Sequence, residues 1–65
     1  MNNLIKIAAY CNDLEALLYS KSDSVDKSNI YTDISSLMVD IKNNAHTDDE
    51  AMALLNNIEN RINLL

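Results

Sequence analysis

The chain contains neither glycine nor proline at any of its 65 positions. Glycine supplies the left-handed backbone conformation, and proline the fixed φ angle, on which tight turns between β-strands depend. Their absence therefore argues against a sheet protein. Apolar residues make up 48% of the chain, which is too many for a disordered segment, and the supply of leucine, isoleucine and alanine favours helix. We expect an all-α fold in which asparagine replaces glycine at helix ends.

Apolar residues recur at helical spacing in three segments. In the first segment the intervals alternate between three and four residues, as in the seam of a coiled coil. The three stripes consist of Leu4, Ile7, Cys11, Leu14 and Leu18; of Ile30, Ile34, Leu37, Met38, Ile41 and Ala45; and of Ala51, Leu54, Leu55, Ile58, Ile62 and Leu65. These stripes predict helices over about residues 3–20, 25–44 and 48–64.

Polar segments separate the three stripes. Residues 21–28, reading KSDSVDKS, interrupt the periodicity and offer several helix-capping side chains. Asn43 and Asn44 form a stop signal, and residues 47–50, reading TDDE, match a capping box. The connections predict an antiparallel up-down-up three-helix bundle with coiled-coil-like packing. If the second and third helices are instead one continuous rod, the fold is a helical hairpin.

The length of the chain allows only one domain, over residues 1–65, with a small core. A core of this size seldom supplies more than about 3–5 kcal/mol, so short chains usually add a disulfide, a metal or a partner. Cys11 is the one cysteine and His46 the one histidine, which leaves no internal disulfide and no pair of soft zinc ligands. Association with a protein partner or with further copies of the chain is the remaining means of stabilisation.

Charge and motif content exclude several classes of function. The formal net charge is −5, from ten acidic and five basic residues, and this charge opposes binding to nucleic acid. No apolar run approaches the roughly 18 to 20 residues that span a bilayer, and no signal peptide is visible, so we expect a cytoplasmic protein with no membrane contact. No phosphate loop or nucleophile–base set can be assembled. We expect neither catalysis nor a cofactor.

The first helix carries apolar residues outside its seam, and that surplus points to a docking face for a partner. Small alanines would allow a partner helix to approach closely, and methionine adapts well at binding surfaces. The predicted partner-binding residues are Ile5, Ala9, Ala16, Leu17 and Tyr19, with Val39 and Met52 as a second patch. The alternative interpretation is scattered surface hydrophobes, which most small proteins have.

Three acidic residues, Asp26, Asp33 and Asp40, recur every seven residues. On one long second helix they would form an acidic line along the outer face, which could mimic a phosphate strand or meet a basic groove. The alternative is a solvated face that keeps the protein soluble. Tyr10 falls on the polar side of the first helix and Tyr31 beside the core of the second, so their hydroxyls are expected in water; Tyr10 could instead anchor an interface together with Tyr19.

These observations favour a small helical protein-interaction module, such as a chaperone, co-chaperone or assembly adaptor. In size and amphipathic helical plan the chain is similar to the small co-chaperones that guard needle subunits in bacterial type III secretion, a resemblance that implies docking of a hairpin on a second chaperone. A second hypothesis is an acidic inhibitor, encoded by a phage or mobile element, that acts on a host enzyme or defence complex. A third is a helical oligomer that sequesters a small ligand between subunits.

Overall fold

The computed structural model describes residues 3–65 and shows three α-helices, with no strand in that range. Helix α1 spans Asn3–Tyr19, α2 spans Ser28–Lys42 and α3 spans Asp48–Asn63. The predicted all-α fold is confirmed, and α1 and α3 end within one residue of the predicted positions. The second helix differs, because it begins three residues after the predicted start and ends two residues earlier. The helical-hairpin alternative is wrong, since α2 and α3 are separate helices.

The late start of α2 has a local cause in the side chain of Asp26. Its Oδ1 atom accepts hydrogen bonds from the backbone N–H of Ser28 at 3.0 Å and from the Ser28 hydroxyl at 2.7 Å. Aspartate side chains that bond to a nearby N–H in this way compete with helix and favour turns. The first helical backbone bond then runs from the Tyr31 N–H to the Lys27 carbonyl, at 3.0 Å.

The end of α2 is a Schellman motif centred on Asn44. This residue has a φ of 57°, the left-handed conformation that asparagine tolerates better than most residues with a side chain. The Ala45 N–H bonds to the Asp40 carbonyl at 2.8 Å and the Asn44 N–H to the Ile41 carbonyl at 3.2 Å. These are the two bonds that define the motif, and the predicted asparagine stop signal is confirmed.

Thr47 caps α3, as the capping-box pattern predicts. Its hydroxyl oxygen accepts a hydrogen bond from the Glu50 N–H at 3.2 Å, and its backbone is extended, with a φ of −71° and a ψ of 163°. The Glu50 carboxylate accepts from the Thr47 hydroxyl at 3.2 Å, where the capping box predicts a bond to the Thr47 N–H. Three acidic residues in the first turn complement the positive end of the helix dipole.

Contacts between helices establish an up-down-up arrangement. The start of α1 lies beside the end of α2, and the end of α1 beside the start of α2, where Tyr19 contacts Tyr31. Arg61 near the end of α3 contacts Asp33 in the first half of α2, so these helices are also antiparallel. The core consists of Ile7, Cys11, Leu14, Leu18, Ile30, Ile34, Leu37, Ala51, Leu55, Ile58 and Ile62. The outermost members of the predicted stripes, Leu4, Leu54 and Leu65, are 39 to 42% exposed.

Candidate interaction surfaces

An apolar groove of about 290 Å³ lies between the first half of α1 and the last turns of α2. It is open to the surface, and all but one of its lining side chains are apolar. The lining residues are Leu4, Ile5, Ala8, Cys11, Met38, Ile41 and Lys42. Cys11 forms the buried floor, while Met38 and Ile41 are partly buried and pack against the core. The groove is therefore a continuation of the core that residues 3–65 leave uncovered.

Side-chain size explains why the two helices leave this end of their interface open. Ala8 lies on the side of α1 that faces α2, one helical turn after Leu4, and its methyl group fills little of the space between them. At the opposite end the same interface is closed by two aromatic rings. Tyr19 and Tyr31 pack edge to face, with ring centroids 5.2 Å apart and an interplanar angle of 69°, a favoured aromatic geometry.

Three of the predicted partner-binding residues form one exposed stripe on α1. Ile5, Ala9 and Ala16 are all exposed, and their spacing puts them on the same side of the helix, facing away from the core. Ile5 is 72% exposed and also lines the apolar groove. The stripe and the groove consequently meet at Ile5, and the exposed Asn12 lies on the same face between Ala9 and Ala16.

The structure does not bring the other predicted partner-binding residues into that surface. Leu17 is partly buried and packs against the core, and its role in binding a partner stays a prediction. Tyr19 is exposed, but its ring already contacts Tyr31. Val39 and Met52 do not form one patch. Val39 points about 170° away from the core side of α2, whereas Met52 lies on the exposed flank of α3 that faces α1.

A second, more polar groove of about 200 Å³ runs between α2 and α3. Its lining residues are Asp33, Ser36, Leu37, Asp40, His46, Leu54, Asn57, Ile58 and Arg61. The Arg61 guanidinium donates to the Asp33 carboxylate at 2.6 Å. His46 places one ring nitrogen 3.2 Å from the Asp40 carboxylate and the other 3.4 Å from that of Glu50. The carboxylates that enter this groove are thus accompanied by basic or ionisable side chains.

The acidic line expected on the outer face of the second helix is corrected by these positions. Asp26 precedes α2 and serves the turn that starts it. Asp33 and Asp40 line the groove toward α3 and contact Arg61 and His46. The three side chains therefore do not form a row of unpaired charges. Hydrogen bonding by Ser28, through its backbone N–H and then its hydroxyl, lowers the pKa of Asp26.

Two of the three tyrosines have environments that periodicity alone did not indicate. The Tyr10 hydroxyl reaches α3, where it contacts the Glu59 carboxylate and, at 2.8 Å, the Asn56 side-chain oxygen. The hydrogen bond to Glu59, with burial and the Glu59 charge, raises the pKa of Tyr10 to about 12. The Tyr31 hydroxyl is buried and has no hydrogen-bond acceptor or donor within the described range. Burial, with neighbouring Tyr19 and Glu15, raises the pKa of Tyr31 to about 12.

The Cys11 thiol lies beneath the first groove, whereas His46 lines the second. The Cys11 thiol is fully buried in the core, and desolvation raises the pKa of Cys11, with the Glu15 charge acting in the same direction. A raised pKa and burial both suppress the thiolate, the reactive form of cysteine. Among residues 3–65, no group of three His, Cys, Asp or Glu side chains is placed to hold a metal ion. Within the same range, no helix combines the length and apolarity needed to cross a bilayer.

No protein-family model, curated protein or solved structure matches this chain.

Proposed function

We propose that this chain is a small protein-interaction module that acts by packing the apolar surface of α1 and the α1–α2 groove against another protein. One observation carries the proposal. The groove exposes apolar side chains directly above the core, and Ile5 at its edge is 72% exposed. Clefts lined almost entirely by apolar side chains are the usual form of a site that receives an apolar ligand or partner.

Burial of this surface would provide a substantial binding energy. Complete burial of one exposed isoleucine contributes about 1.5–3 kcal/mol, and Leu4 and Ile5 both have apolar area to bury. Ala9 and Ala16 present only methyl groups on the same face of α1, so a partner backbone can come close to the helix. Association would thereby add to the limited stability of a short chain, by linkage between binding and folding.

The helical plan and the apolar surface support a chaperone, co-chaperone or assembly adaptor as the more specific role, acting in the cytoplasm. The acidic inhibitor of a host enzyme receives less support. That hypothesis requires a surface of free carboxylates, and Asp33 and Asp40 instead contact Arg61 and His46.

The test compares two exposed apolar positions of the same chain in its native cell. A photo-crosslinking side chain is placed at position 5, beside the groove, or at position 39, where Val39 is 56% exposed on the outer face of α2. We expect a discrete crosslinked product with one protein from position 5 and none from position 39. We also expect the Ala8→Asp substitution to abolish the position 5 product while circular dichroism shows an unchanged helix content. Equal products from positions 5 and 39 would contradict the proposal.

A further inference from the structure

We infer that the occupant of the α1–α2 groove is an amphipathic helix of a different protein, which carries a carboxylate that pairs with Lys42. This inference rests on the proposed function and specifies the chemistry of the partner. It depends on the shape of the groove, on the charge at its edge and on the area available for contact.

The shape of the groove fits a helix. It runs between two antiparallel helices, and its apolar side chains come from successive turns of each: Leu4 and Ala8 on α1, Met38 and Ile41 on α2. The rows of side chains on a third helix can fit into the depression between the two helices, as in ordinary helix packing. The occupant would complete a four-helix arrangement around the exposed end of the core.

The charge at the edge of the groove determines which charge the contacting side chain of the partner should carry. Among residues 3–65, Lys42 is the one charged residue in the groove lining, in a chain whose formal net charge is −5. Arg61 pairs with Asp33, and the Lys27 ammonium donates to the Lys21 carbonyl. Lys42, like Lys6, Lys21 and Lys27, has no carboxylate within 4.0 Å among residues 3–65, but of these lysines it is the one that lines the groove. An acidic side chain next to the apolar stripe of a partner helix would satisfy this ammonium group.

Charge and area favour a different protein over a second copy of the chain. Two copies that each carry a net charge of −5 repel one another. A stable dimer also buries about 800 Å² of each partner, whereas the whole chain exposes 4368 Å², so a dimer interface would occupy nearly a fifth of the surface. The groove is a local feature at one end of one helix pair, and it suits a single helix.

The experiment uses three synthetic amphipathic peptides of about 15 residues, long enough for measurable helicity. They share one apolar stripe and differ only at one flanking position, which is Glu, Gln or Lys. Binding to the full chain is measured by titration, and the site is located from backbone amide shifts of Leu4, Ile5, Ala8, Met38 and Ile41. We expect the Glu peptide to bind in the groove about threefold more tightly than the Gln peptide, as for an exposed ion pair, and the Lys peptide to bind most weakly.

Substitution of Lys42 provides the matched control. In Lys42→Gln the three peptides should bind equally, and in Lys42→Glu the order should reverse, with the Lys peptide tightest. Ile5→Asp should weaken all three by about tenfold or more, because it places a charge in the apolar contact. Comparison of peptides on one variant removes any effect of the substitution on folding.

Other outcomes separate this inference from the proposed function. If the peptides bind in the groove without regard to charge, or shift only the face around Ala9 and Ala16, the assignment to Lys42 or to the groove is wrong, while the interaction module stands. Sedimentation of the free chain as a dimer that Ile5→Asp dissociates would assign the groove to a second copy and overturn the inference. Absence of binding by all three peptides would also overturn it. The crosslinking comparison of positions 5 and 39 tests the proposed function independently.

Discussion

The Tyr10 hydroxyl, near the middle of α1, donates a hydrogen bond to the Glu59 carboxylate in the second half of α3. This contact joins two helices that are far apart in the sequence and packed in parallel. The ionised carboxylate is the better acceptor, and the bond therefore belongs to the stronger class of charge-assisted hydrogen bonds. It fixes the side of α1 that faces α3, opposite the side that lines the apolar groove.

We predict that Tyr10→Phe lowers the free energy of unfolding by about 1 kcal/mol, since a hydrogen bond to a charged group is lost at a partly exposed position. Urea unfolding of Tyr10→Phe, Glu59→Gln and the double variant measures the contribution of the pair. The double variant should be destabilised by less than the sum of the single variants. Strict additivity of the two changes would show that the contact does not stabilise the bundle.

The same contact gives a prediction for alkaline pH. The pKa of Tyr10 is raised from 10.0 to about 12 in the folded chain, so the unfolded chain loses this proton at lower pH. The stabilisation is fully present below pH 10.0 and is lost as the pH rises toward about 12. The difference in unfolding free energy between the natural chain and Tyr10→Phe should therefore shrink over this interval. A difference that stays constant would contradict the assignment of the raised pKa to Tyr10.

The Cys11 thiol should react with alkylating reagents only when the helices separate. Cys11 has no exposed surface, and the core of a chain this short seldom supplies more than about 3–5 kcal/mol. The reaction should then be slower than in urea-unfolded protein by up to about two to four orders of magnitude, set by the opening equilibrium. The matched control is Ala9→Cys combined with Cys11→Ala, because Ala9 lies on the exposed face of α1. Equal reaction rates at positions 9 and 11 would show that the core near the groove is open.

The hydrogen bonds to the Asp26 carboxylate determine how this residue changes the free energy of unfolding with pH in acid. Its folded-state pKa lies below the ordinary value of 3.8, because Ser28 donates to the carboxylate. The contribution is therefore present at pH above 3.8 and is lost as the pH falls through the lower, folded-state pKa. Titration of the Asp26 side-chain carboxyl by NMR measures the shift directly. Asp26→Ala should remove this part of the acid dependence, whereas Asp23→Ala, in the same connection, should retain it.

The core was predictable from sequence because its signal is periodic and local. Ile7, Cys11, Leu14 and Leu18 repeat at intervals of three and four, and all four are buried. The start of α2 was less predictable, since it depends on one side chain, Asp26, that bonds to the chain two residues later. Residues 21–28 interrupt the helical periodicity and contain several possible capping residues, and the pattern does not identify which of them starts α2.

The interaction surface was only partly predictable, because it depends on how helices face one another. A repeat of seven residues places Asp33 and Asp40 on one side of α2, yet it does not identify the side that meets α3. The partner of Asp33 is Arg61, 28 residues away, a separation that no local pattern reports. Likewise, the sequence shows that Ile5 lies outside the apolar seam of α1. The groove beside Ile5 depends on the contact of the small Ala8 side chain with Met38 and Ile41 on another helix, which periodicity does not report.

The left-handed residue at the end of α2 gives a prediction in a chain without glycine. Asn44 has a φ of 57°, a conformation that costs most residues with a Cβ atom about 1–2 kcal/mol. Asn44→Ala should therefore lower the free energy of unfolding by about 1 kcal/mol, whereas Asn44→Gly should preserve or raise it. Asn43→Ala is the matched control, because Asn43 has an ordinary φ of −91°, and it should change stability little. If Asn44→Ala and Asn43→Ala have equal effects in urea unfolding, the left-handed cap does not determine where α2 ends.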